Sequence, residues 1–115
     1  MTYFPLHPRT PYEKWRWAEQ LFEARDHLKA AEVLEDLLQD PEVPVGDLPQ
    51  VRELLARAYF HSARLDRAAD AAREALRHEP GNTYLVLLLG RSLERAGRQA
   101  EAEPHLRMAA AAGLI

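Results

Sequence analysis

Five histidines, His7, His27, His61, His78 and His105, are the side chains in this chain best suited to metal binding or proton transfer. No two of them lie three or four residues apart, so no helix face pairs them by sequence alone. There is no HExxH pattern, no phosphate-cradling glycine loop and no GxSxG elbow. Cysteine is absent, which removes disulfides and thiolate sites. Carboxylates such as Glu32, Glu35 and Asp36 fall on polar helix faces, where they solvate the chain. The expectation is a non-enzymatic protein with no catalytic set, no cofactor and no metal; clustering of the histidines in space stays open.

Any other function must be positioned by the elements, and these repeat. Shifted by 34 residues, Ala56 falls on Gly90, Ala63 on Gly97, Ala68 on Ala102 and Ala75 on Ala109. Leu55 falls on Leu89, Arg57 on Arg91 and Tyr59 on Leu93. A fixed period of this kind marks stacked supersecondary units. Each unit reads as helix, tight turn, helix and stop. Leu55 and Tyr59, four apart, share a face with Ala56 beside them. Ala68, Ala72 and Ala75 make the stripe of the following helix, which halts at Glu79-Pro80-Gly81. A third copy lies upstream at an offset of 38, with Trp17 on Leu55, Ala18 on Ala56, Leu21 on Tyr59 and Ala30 on Ala68. The extra four residues fit the Pro-rich connector 41–49. Helices are expected over about 12–25, 28–39, 48–62, 66–78, 83–97 and 99–112. Thr10 before Pro11 suits an N-cap, and Asn82 suits another. Pro104 would kink the last helix if that helix starts before Ala100.

These positions resemble the tetratricopeptide repeat. Leu55, Ala56, Tyr59, Ala63, Ala68, Ala75 and Pro80 stand on the family pattern in the middle unit, with Ala72 where an aromatic is usual. In the last unit Leu89, Gly90, Leu93, Gly97, Ala102, Leu106 and Ala109 stand on it. Arg25 replaces the usual Gly in the first unit. The resemblance implies an all-α fold: three helix-turn-helix repeats, six antiparallel helices, in a right-handed superhelix. The repeats would span about 11–44, 49–82 and 83–115, preceded by an extended arm over 1–10. The Ala- and Arg-rich form is similar to small bacterial members of the family.

In such proteins a partner segment lies against the first helix of each pair. The resemblance therefore implies a concave face carrying Tyr12, Trp15, Arg16 and Glu19 from the first repeat. The second supplies Leu54, Arg57, Phe60 and His61, with Gln50 and Glu53; the third supplies Tyr84, Leu87, Leu88, Arg91 and Arg95. Relatives that clamp a chaperone's terminal carboxylate use Lys and Asn at places held here by Trp15, Glu19, Leu54, Tyr84 and Leu88, which argues against that ligand. Aromatic and Arg side chains dominate interface energies, so the strip suits an apolar or helical segment with one or two acidic residues. Leu54, Leu87 and Leu88 are alternatively core between neighbouring pairs.

Charge and the two ends complete the reading. The net charge of −3 argues against a general nucleic-acid binder. Residues 1–50 hold 5 basic and 10 acidic side chains, and residues 51–115 hold 10 basic and 8 acidic ones. That asymmetry either favours head-to-tail association or merely solvates the helices. No apolar run approaches the roughly 20 residues of a membrane span, and no signal sequence is evident, so a cytoplasmic location is expected. The arm carries Tyr3, Phe4 and Leu6 among its prolines, apolar enough to cover the first helix pair or to lie in a groove, its own or that of a second copy in self-association, the alternative being an unordered tail. Met108, Leu114 and Ile115 leave the far end apolar, either as a tolerated terminus or as a self-association face. The expected partner is another protein, or alternatively a second copy of this chain.

Overall fold

The computed structural model describes residues 8–115. The expectations for Tyr3, Phe4 and Leu6 lie outside these residues. Six α-helices follow one another: α1 (Pro11–Glu23), α2 (His27–Gln39), α3 (Leu48–His61), α4 (Leu65–His78), α5 (Thr83–Arg95) and α6 (Gln99–Ala111). A single 3-10 turn, Val45–Asp47, sits in the connector, and no strand occurs among the described residues. Each helix packs on the next in sequence, and α3 also touches α5, giving a body of 44 × 26 × 22 Å.

The starts are chemical. Thr10 Oγ1 accepts from the Glu13 amide at 3.1 Å, while Glu13 Oε1 accepts from the amides of Thr10 at 3.2 Å and Arg9 at 3.1 Å. This capping box holds Glu13 below the usual carboxylate pKa, chiefly through those two backbone amides. Asn82 Oδ1 accepts from the Leu85 amide at 3.2 Å and opens α5. Lys14 on α1 reaches Asp40 at 2.9 Å and Asp36 at 3.0 Å, tying the first helix to the end of the second.

The turn inside each pair is the same. Arg25, Ala63 and Gly97 have φ of 65°, 59° and 80°. After each of them the next amide reaches back to the helix: Asp26 to Leu21, Arg64 to Tyr59 and Arg98 to Leu93, all at 2.9 Å. These are Schellman closures, which need a left-handed residue. They recur at the offsets of 38 and 34 read from the sequence, so the first copy is in register. The same requirement explains why α1 stops at Glu23 and not at residue 25. Left-handed backbone costs a side-chain-bearing residue about 1–2 kcal/mol, offset in part by the greater freedom of Gly in the unfolded chain. Ala63→Gly is therefore expected to stabilise the protein by about 0.5–1 kcal/mol, read as a higher urea midpoint.

The small positions are where the helices meet. Ala18, Ala30, Ala56, Ala68, Ala102 and Ala109 are all fully buried. Two clusters share the core. One centres on Leu34, Leu37, Val51 and Leu55 from α2 and α3, the other on Leu85, Leu89 and Leu93 of α5 against Ala69, Ala72 and Ala75 of α4. Ser92 is buried among them, and its hydroxyl donates to the Leu88 carbonyl at 2.7 Å. α6 starts at Gln99, one residue before Ala100, yet runs as one helix through Pro104 to Ala111. The carbonyl that Pro104 leaves without a donor belongs to Ala100, which is exposed to water.

Candidate binding surface

Residues of α1 and α3 together line an open groove of about 390 Å³. Trp15, Glu19, Phe22 and Glu23 line it from α1; Gln50, Glu53, Leu54 and Arg57 line it from α3. Residues four apart on each helix supply one wall, which is why the spacing placed Trp15 with Glu19 and Glu53 with Arg57. α5 continues the face. The Asn82 side-chain amide at its start donates to Glu53 at 3.4 Å, and the Arg95 guanidinium near its end lies 4.7 Å from the Phe60 ring centre. Tyr84 is 39% exposed; burial of the rest raises its phenol pKa.

No family model, curated protein or solved structure matches this chain. Function must therefore be argued from the surface itself.

The residues singled out from the sequence divide into four groups. Trp15, Glu19, Leu54 and Arg57 come together in the groove, with Phe60 and His61 at its far end and Tyr84 and Arg95 on α5. Leu54 and Leu88 are 8% and 5% exposed and belong to the core between pairs, so they offer an edge at most; Leu87 is half-buried. Tyr12 turns elsewhere: at 72% exposed it lines a second hollow of about 500 Å³ with Trp15, Leu37, Val43, Pro44 and Val51. Arg16 and Arg91 are occupied by Glu19 at 3.7 Å and Glu94 at 3.1 Å.

Sequence reasoning passed over two contributors, Phe22 and His27. Phe22 stands edge-on to His27 at 4.8 Å and to His61 at 5.6 Å, and Arg57 lies over its ring at 4.9 Å. The signal was available, because Phe22 plus the offset of 38 is Phe60. His27 had no such signal; it begins a second helix and reaches the face only through the tight turn.

His61 keeps part of its surface in water, yet its pKa lies below the ordinary 6.5, first through burial and then through His27, Arg57 and Arg95. His105 is lowered too, by burial and by Arg73. The unfolded chain then binds more protons than the folded one once pH falls below 6.5. Stability is expected to be full above pH 6.5 and to decline as pH falls through the depressed folded values. The lowered carboxylates begin to contribute only nearer their ordinary values, 4.5 for Glu13, Glu74 and Glu101 and 3.8 for Asp40. Urea midpoints at pH 7.5 and 5.5 check this. The fall should shrink in a His61→Gln/His105→Gln variant; an unchanged fall would assign the acid sensitivity to other groups.

Proposed function

We propose that this chain is a three-repeat tetratricopeptide domain, with its pairs stacked in a right-handed superhelix, that acts as a cytoplasmic, non-enzymatic adaptor. Its partner is a protein segment held across α1, α3 and α5. The observation that carries this reading is the groove between α1 and α3, in which Trp15, Phe22 and Arg57 present aromatic and guanidinium surface to solvent. Support for the repeat class comes from the recurring left-handed turn at Arg25, Ala63 and Gly97 and from the sequential packing of the helices. No helix among the described residues is long and apolar enough to cross a membrane.

Selection of displayed peptides on the immobilised protein tests the reading. Enriched peptides should bind at micromolar affinity and lose at least about tenfold on Trp15→Ala/Tyr84→Ala, with folding verified by circular dichroism. Peptides that bind the double variant equally well would place the binding surface elsewhere.

A second reading is self-assembly. Met108, Leu114 and Ile115 are 59%, 41% and 54% exposed at the far end of the chain. Light scattering over a dilution series separates the two. A monomer of 13.1 kDa at all concentrations removes self-assembly, whereas a dimer abolished by Leu114→Asp/Ile115→Asp favours it.

A further inference from the structure

Where α1 and α3 end, two guanidinium groups and two imidazoles converge on two phenyl rings. Arg57 of α3 lies 4.9 Å from the Phe22 ring centre, and Arg95 of α5 lies 4.7 Å from that of Phe60. His61 stands between the phenyls, edge-on to each at 5.6 Å. His27, from the start of α2, stacks on His61 at 5.1 Å with 30° between the rings. Four helices thus deliver this cluster.

Its charge is not neutralised at contact range. None of the ion pairs among the described residues involves Arg57, Arg95, His27 or His61. Arg91, one turn before Arg95, is by contrast held by Glu94 at 3.1 Å. The ionisable groups that lower the His61 pKa act from three elements: His27 from α2, Arg57 from its own helix and Arg95 from α5. α1 contributes the Phe22 ring there, and its Glu19 and Glu23, with Glu53 of α3, line the adjoining groove beside Arg57. Each guanidinium carbon lies over a phenyl ring while the group makes no ion pair, so its N–H donors stay available to an oxyanion.

We propose that this cluster is an anion-recognition site that receives an aspartate or glutamate side chain of the segment occupying the groove. The proposal rests on the groove reading and deepens it by assigning the charge and place of one contact. A single carboxylate fits better than a dianion, because the three glutamates of the adjoining groove raise the cost of a second negative charge. An anion seated here offsets the repulsion among the cations and favours protonated His61. Binding therefore takes up a proton, and affinity rises as pH falls toward the His61 titration midpoint.

The test follows the His27, His61, His78 and His105 ring signals by proton NMR at low salt, with an amidated hexaglutamate peptide, hexaglutamine and inorganic phosphate as probes. Hexaglutamate is expected to move the His61 and His27 signals and to raise the His61 titration midpoint, with hexaglutamine inert. Arg95→Gln and Arg57→Gln, checked for folding by their thermal transitions, should each weaken the effect about fivefold. The proposal is overturned if hexaglutamate leaves His61 unmoved, if it shifts His78 and His105 equally, if either Arg variant titrates as the parent does, or if phosphate binds more tightly than hexaglutamate. Groove peptides from display that need Trp15 and Tyr84 but ignore Arg95→Gln would sink this site alone and leave the groove reading standing.

Discussion

Leu93→Ala is expected to destabilise the protein by about 3–5 kcal/mol, near the top of the range for buried leucines. Leu93 is fully buried in the cluster formed by α3 to α6, and it sits where the repeat places Tyr59 in the preceding unit. The size of the loss depends on whether neighbours can close the cavity. Five of the residues that share its cluster, Ala56, Ala69, Ala72, Ala75 and Ala102, are alanines, whose methyl groups have no rotamers with which to fill space. Closure would require whole helices to shift. A domain of this size has a stability of only about 5–15 kcal/mol, so the variant should unfold at markedly lower urea concentration and temperature. A loss under about 1.5 kcal/mol would mean that α5 and α6 slide together readily and that the array is softer than its alanine contacts imply.

Gly90→Leu is expected to cost about 3 kcal/mol despite the better helix propensity of leucine. Gly90 is buried in the middle of α5, at the place filled by Ala56 in the preceding unit. A Cβ there would stand 2.7 Å from Leu106 Cδ2, 3.0 Å from its Cγ and 3.3 Å from its backbone nitrogen. The last contact is with helix backbone, so a side-chain rotation cannot relieve all of the clash and α5 must move away from α6. Gly90→Ala isolates the terms. Alanine gains about 1 kcal/mol of helix propensity and loses a comparable amount to the Leu106 contact. In a Leu106→Ala background the propensity gain should emerge, giving a favourable coupling of about 1 kcal/mol in a double-mutant cycle by urea unfolding. Additive effects would show that Leu106 is not what keeps residue 90 small.

The two substitutions probe the packing of α5 on its different neighbours. Leu93 fills the space between pairs, and Gly90 allows the helices of one pair to approach. Together they explain why a small residue recurs at Ala18, Ala56 and Gly90, all of them buried.

The sequence by itself determined the local order of this protein. Six helices stand within about two residues of where periodicity, Thr10, Asn82 and the Pro/Gly stops put them, because caps and the 3.6-residue stripe are short-range signals. The period also aligned Arg25 and Ala63 with the turn glycine Gly97, but the left-handed backbone at both, and the early stop of α1 that it imposes, came only with the structure. Only the tertiary structure decided which of the face residues reach solvent. Leu54 and Leu88 share a stripe with groove residues, yet the neighbouring pair covers them, while Tyr12 is diverted to a hollow shaped by the connector over 41–47. The meeting of Phe22, His27, Arg57, His61 and Arg95 belongs to the same class. They sit on four helices and up to 73 positions apart (95 − 22), and no spacing rule reaches that far. A helix's own sequence sets which residues share a face; what that face meets is set by the packing angle and distance of its neighbours, a property of the assembled core.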